Sequence, residues 1–299
     1  MADEEEDTLG RIAAVSRRAV RPRAQADAAP PSWRRLWRHS YRLGARWLLT
    51  GRRHRWRGAR VGICRLLVPL DPWRFWELGR IAGEDFRGRN LDVSSPKLLP
   101  SLLRAEGRGE WVAVDLFADE VESWRAVDPE LDLRVEDARS LSFADGAFDG
   151  CVCVSVIEHI AGDGDATAMA EIWRVLRPGG VLHLTVPVAQ PHRDVMIDRQ
   201  VYGEASARVG DQVFFARYYG EAELDRRLLG LPWEVLAREY VRQADTRIES
   251  RFHALAPWSY PLGFTLRWLC PGNFRAMAGP GELGPDEHGV VYLKLRKPA

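Results

Sequence analysis

Between Asn90 and Pro187, short apolar runs alternate with segments of helical period, and no other feature of the chain restricts its fold as much. Residues 91–93, 111–115, 131–135, 148–157 and 181–187 read as strands. The run 148–157 is continuous enough to be buried on both faces, as in a parallel sheet covered by helices. Helices are expected through Leu102 and Leu103, over 121–127, and over 165–176. In the last of these Met169, Ile172, Trp173 and Leu176 recur at i, i+3, i+4 and i+7. Pro178-Gly179-Gly180 is expected to stop that helix. The alternation predicts an α/β fold: a Rossmann-like, doubly wound, mostly parallel sheet with helices on both faces. Residues 221–229 again read as helix. Strands are expected over 233–241 and over 289–295, the latter as a C-terminal antiparallel strand.

Composition narrows the class. The chain has 299 residues, 46% hydrophobic, with a net charge of +1, enough for one large domain or two small ones with a real core. Collagen, low-complexity disorder and a disulfide scaffold are excluded. Four cysteines, two of them in the apolar run Cys151-Val-Cys153, suggest a reducing compartment, and these two read as core rather than metal ligands. No run approaches the ~18–20 apolar residues of a membrane span, and the acidic start is no secretory signal. A cytoplasmic protein is the expectation. The near-neutral total hides an asymmetry: five acids lie within residues 3–7, then 15 arginines and one acid, Asp27, within 11–60. The chain divides into a disordered tail (1–31), an Arg/Trp-rich amphipathic helix (32–60), an N-terminal helical cover (61–88), a ligand-binding core (89–187), a lid or substrate insert (188–232), and closing strands with a Pro/Gly-rich insert (233–299). Ser32 is the expected cap of the first helix, Asp71 with Pro72 the start of a second. For 33–57, packing of the aromatic face on the core ranks first, contact with an anionic membrane surface second, and nucleic acid third.

In such a sheet, ligands bind beyond the carboxyl ends of the strands. The first strand is followed by Ser94-Ser95-Pro96-Lys97. The second ends in Asp115, 23 residues past Asp92. A carboxylate there suits the two hydroxyls of a ribose. Asp137-Ala138 follows the third strand, where an acid accepts from an exocyclic amine. The fourth carries Ser155, Glu158 and His159. Together Asp115 and Asp137 describe a nucleoside-shaped site.

Three stretches are more specific: residues 133–149 (with Asp137-Ala138, Leu141-Ser-Phe143, Asp145 and Phe148-Asp149), Ser155-Val-Ile-Glu158-His159, and Glu171-Ile-Trp-Arg174-Val-Leu-Arg177-Pro-Gly-Gly180. They resemble the class I S-adenosylmethionine-dependent methyltransferases of the type 11 group, closely over 130–190 and less so over 89–130. The resemblance implies S-adenosyl-L-methionine as cofactor and methyl transfer to an oxygen or nitrogen of a small-molecule acceptor. One element departs from the family. Its first loop, Asp-x-Gly-x-Gly-x-Gly, aligns with Asp92-Val-Ser94-Ser95-Pro96-Lys97-Leu98, and every glycine is gone.

Cofactor contacts are therefore expected at Asp92, Ser94, Ser95, Asp115, Asp137, Ala138 and Ser155, with Lys97 reaching a carboxylate of the ligand. His159 is the candidate catalytic base, set against a structural role in the strand-to-helix turn. His192, Arg217, Tyr218 and Tyr219 are substrate-side candidates, and no metal site is expected. The alternatives are a non-catalytic methyltransferase-like binding protein, which the glycine-free loop favours, and an enzyme recruited to a membrane surface or nucleic acid by its basic arm.

Overall fold

The computed structural model describes residues 32–50, 72–198, 208–247 and 272–299. The tail 1–31, the arginines of 52–57, Leu66, Leu67 and the Asp71 cap lie outside the described residues. An eight-stranded sheet forms the centre. In spatial order it runs β3 (Asp132–Val135), β2 (Glu110–Asp115), β1 (Arg89–Val93), β4 (Phe148–Val154), β5 (Leu176–Val188), β11 (Gly289–Arg296), β9 (Glu234–Gln243), β10 (Phe274–Met277). The first five are parallel, and β11 is antiparallel to both β5 and β9. This is the expected Rossmann-like architecture, with its antiparallel edge extended by β9 and β10.

Alternation along the strands explains the two-sided burial. Cys151 and Cys153 enter one core cluster with Met169, Ile172 and Val175 of α5 (Gly164–Val175) and Leu224 and Leu228 of α6 (Glu221–Leu228). Val152 and Val154 enter the opposite one, covered by α1 (Trp33–Thr50), α2 (Pro72–Ile81), α3 (Leu98–Ala105) and α4 (Ala118–Val127). Leu36, Trp37 and Leu43 of α1 are buried there, while Arg34, Arg35, Arg38, Arg42 and Arg46 are exposed. Each such apolar side chain contributes about 1.5–3 kcal/mol by leaving water. The described part of the basic helix thus packs on the core through its apolar face.

Two boundaries differ from expectation. The fourth strand ends at Val154, because Ser155 turns out of it at φ 47° and a 3-10 turn, Ile157–His159, follows. The fifth begins at Leu176 and takes in Pro178-Gly179-Gly180 through a bulge, as Gly179 and Gly180 bond to the backbone of Lys297. Residues 188–218, where the sequence shows no period, contain a separate antiparallel sheet of β6 (Arg193–Ile197), β8 (Gln212–Tyr218) and β7 (Arg208–Val209). No described helix is long and apolar enough to cross a membrane.

Candidate active site

Strand order reverses between β1 and β4, which makes their carboxyl ends the switch point at which sheets of this kind take ligands. Asp115 closes β2 and Asp137 lies two residues past β3, the parallel neighbour on which Val135 pairs with Asp115. Both predicted ligand acids therefore stand on one rim. Ala138 is buried behind them.

The loop leaving β1 keeps the turn of a glycine motif without its glycines. Ser94 stands at the first glycine position and adopts φ 51°, a left-handed conformation that costs a side-chain-bearing residue about 1 kcal/mol. Its N–H bonds the Val114 carbonyl, and Ser95 Oγ accepts from Val154 N at 2.7 Å, which pins the loop between β2 and β4. Lys97 does not reach outward. Its side chain folds back, 1% exposed, with Nζ 2.9 Å from the Ser95 carbonyl, 3.1 Å from Asp115 Oδ2 and 3.4 Å from Asp92 Oδ2. Asp115 Oδ1 accepts from Phe117 N. Asp92 is wholly buried and neither of its oxygens has a hydrogen-bond donor. Burial pushes its carboxyl up to about 6, against the pull of Lys97. Asp137 is held by its own neighbour: Arg139 N and guanidinium bond both carboxylate oxygens and lower its pKa. Arg139 is half exposed, so this contact yields readily.

A second acidic group lies at the end of β4 and went unnoticed in the sequence. Glu77, from α2, is fully buried and accepts from Ser155 Oγ, from Thr185 Oγ1 at 2.8 Å and from Arg74 Nη1 at 2.7 Å. Its signal was a lone acid in an otherwise apolar helix face of Phe75, Trp76, Leu78 and Ile81. Glu158 is buried nearby with Oε2 unbonded, and burial, reinforced by the Glu77 charge, pushes its carboxyl up to about 8. At neutral pH Glu158 carries a proton, which makes it an internal acid beside Ser155.

His159 donates from Nδ1 to the Phe215 carbonyl at 2.6 Å, the only role a carbonyl partner allows, and burial lowers its pKa. The neutral ring leaves Nε2 as an acceptor, 3.7 Å from Glu158. The contact fastens the turn after β4 to β8. Of the substrate-side candidates, Arg217 is not presented to a ligand: its guanidinium is buried on Asp165 and Asp194. Tyr219 is buried too, its hydroxyl on Asp165. Tyr218 is half-buried against the His288 ring. His192 packs beside Gly220 with Nδ1 unbonded. Among the described residues no group of acids, histidines and cysteines is arranged to hold a metal.

The residues that carry the sequence resemblance are mostly scaffold. Arg174 ties the turn before β4 to α5, donating to the Leu141 and Phe143 carbonyls, to Asp145 and to Glu171. Asp149 accepts from Arg89 N and Arg177. Residues 91–184 match the family model of the methyltransferase domain. The match assigns residues 91–184 to a methyltransferase domain, and the parallel sheet of those residues is the Rossmann-like fold expected of it. Among solved structures, the chain is similar to the [4+2]-cyclase SpnF (21% identity, 74% of this chain and 78% of that one, TM-score 0.46). It is also similar to a putative methyltransferase from Bacillus halodurans (16%, 74% and 97%, TM-score 0.46). A third is a putative sarcosine dimethylglycine methyltransferase from Galdieria sulphuraria (13%, 73% and 82%, TM-score 0.46). No curated protein matches the chain.

Proposed function

We propose that the chain binds S-adenosylmethionine at the β1–β4 rim and methylates an oxygen or nitrogen of a small-molecule acceptor. The observation that carries this is the convergence of Asp115 and Asp137 on one rim beside the switch point. The donor set suits the group. On this reading Asp115 takes the ribose hydroxyls and Asp137 the adenine amine. Asp92, whose buried oxygens lack donors, favours a ligand that brings a cation and N–H groups. Ser94 and Ser95 shape the loop. Bound there, the sulfonium supplies an electrophilic methyl group. The chain's own contribution is alignment of donor and acceptor, with Ser155, Glu77 and Glu158 at the acceptor side to orient it and to hold a proton.

Calorimetric titration with S-adenosylmethionine and S-adenosylhomocysteine tests the reading. Saturable heat is expected, and Asp115→Ala is expected to weaken binding at least ~10-fold, about 1.4 kcal/mol. Absence of heat at millimolar ligand favours the second reading, a methyltransferase fold without donor binding. One observation speaks for that alternative: Lys97 already sits on Asp115. Residues Leu36, Trp37 and Leu43 of α1 are buried against the core while its arginines face outward, and on this reading the acceptor is a small molecule in solution.

A further inference from the structure

We propose that Lys97 is a built-in competitor for this site: its ammonium fills a cage formed by Asp92, Asp115 and the Ser95 carbonyl, and a ligand enters by displacing it. The inference rests on reading the rim as a nucleoside site and adds what controls entry and selectivity there.

Three observations carry it. First, the cage is built for an ammonium. A lysine head group has three N–H donors, and three oxygens stand within 3.4 Å of it, two from carboxylates and one from the backbone. Second, the occupant is local. Lys97 is two residues from Ser95, on a loop already fixed at both sides by Ser94 N and Ser95 Oγ. The flexible side chain leaves without the loop having to move. Third, the charges do not balance. Two acids face one cation, whose Nζ stands 3.1 Å from Asp115 Oδ2 and 3.4 Å from Asp92 Oδ2. The cage therefore still favours positive charge while its own lysine blocks it.

Charge then decides selectivity. A ligand that displaces Lys97 without bringing a cation leaves two buried carboxylates facing each other, which is unfavourable. S-adenosylmethionine carries an ammonium, a sulfonium and a carboxylate, net +1. S-adenosylhomocysteine lacks the sulfonium and is neutral overall. Removing Lys97 makes the cage more negative by one charge, so affinity rises for both ligands and rises more for the cationic one.

The test is calorimetry on the full-length protein and on Lys97→Met, with both ligands. Lys97→Met is expected to bind S-adenosylmethionine about tenfold more tightly than the unmodified chain does, with a larger gain than for S-adenosylhomocysteine. Since this variant leaves two buried acids unpaired, Lys97→Gln, whose amide still offers N–H groups to them, is measured alongside. It is expected to fold and to bind both ligands more tightly than the unmodified chain. If the unmodified chain binds and the folded variants bind equally or more weakly, competition by Lys97 is overturned while the nucleoside reading stands. If neither the unmodified chain nor any folded variant binds, the nucleoside reading itself falls and takes the inference with it.

Discussion

Asp165→Ala is expected to lower the free energy of unfolding by about 3–5 kcal/mol, the range for breaking a buried ion pair from one side. Asp165 is wholly buried in the first turn of α5. It accepts from Arg217 Nη1 at 2.7 Å, Arg227 Nη1 at 2.7 Å, Tyr219 OH at 2.8 Å and Ala166 N at 2.8 Å. One carboxylate thereby joins α5 to β8, through Arg217, and to α6, through Arg227. The alanine leaves the Arg217 guanidinium, only 5% exposed, with the exposed Asp194 and a carbonyl as its remaining partners. It also leaves the buried Tyr219 hydroxyl without its acceptor. Denaturant unfolding followed by tryptophan fluorescence measures the loss. Adding Arg217→Met to the alanine variant is expected to restore part of it, since the stranded charge is then gone. A loss below 1 kcal/mol, with no coupling between the two sites, contradicts the assignment of this carboxylate as the joint between the small sheet and the core.

The second large effect is a pH dependence set by Glu158. Its folded-state pKa, about 8, lies above the ordinary glutamate value of 4.5. Between these limits the folded chain holds a proton that the unfolded chain releases, so stability falls as pH rises from 4.5 through 8. Glu158→Gln keeps the size of the side chain and removes the titration. Relative to the unmodified chain, the glutamine variant is expected to gain on the order of 3–5 kcal/mol between pH 5 and pH 8.5. Asp92, raised to about 6, acts in the same direction in both proteins and cancels in the difference. Unfolding free energies at several pH values across that window supply the test, and parallel curves for the two proteins would show that Glu158 ionises normally. Because Glu158 stands beside Ser155 and Glu77, the same titration is expected to govern any proton held at the acceptor side of the rim.

The core was legible where its cause is local. The strand and helix periods of 90–187 and the turn chemistry around Asp145 are short-range patterns. Arg174 bonds Glu171 three residues away and clamps a turn about thirty residues back. Such clamps make the resemblance recognisable, and they are scaffold rather than ligand contacts. That explains why a clear family signal coexists with a first loop that has lost its glycines. The small sheet of β6, β7 and β8 was not legible, because its strands are short and half polar. What fixes them is long-range: Arg217 on Asp165, 52 residues earlier, and His159 on the Phe215 carbonyl, 56 residues on. Glu77 was hidden for the same reason, its partners Ser155 and Thr185 lying 78 and 108 residues away.

Sequence alone determined the layer architecture and the placing of Asp115 and Asp137 at strand ends, since periodicity and local turn residues dictate these. Tertiary structure decided whether those carboxylates are free. Asp92 and Asp115 come together only when β1 and β2 pair in parallel, Asp92 against Ala113 and Val93 against Val114. The two buried acids share one cation, Lys97, whose Nζ lies within 3.4 Å of both. The direction of the Lys97 side chain is thus a property of the assembled sheet, and no stretch of the chain read by itself contains it.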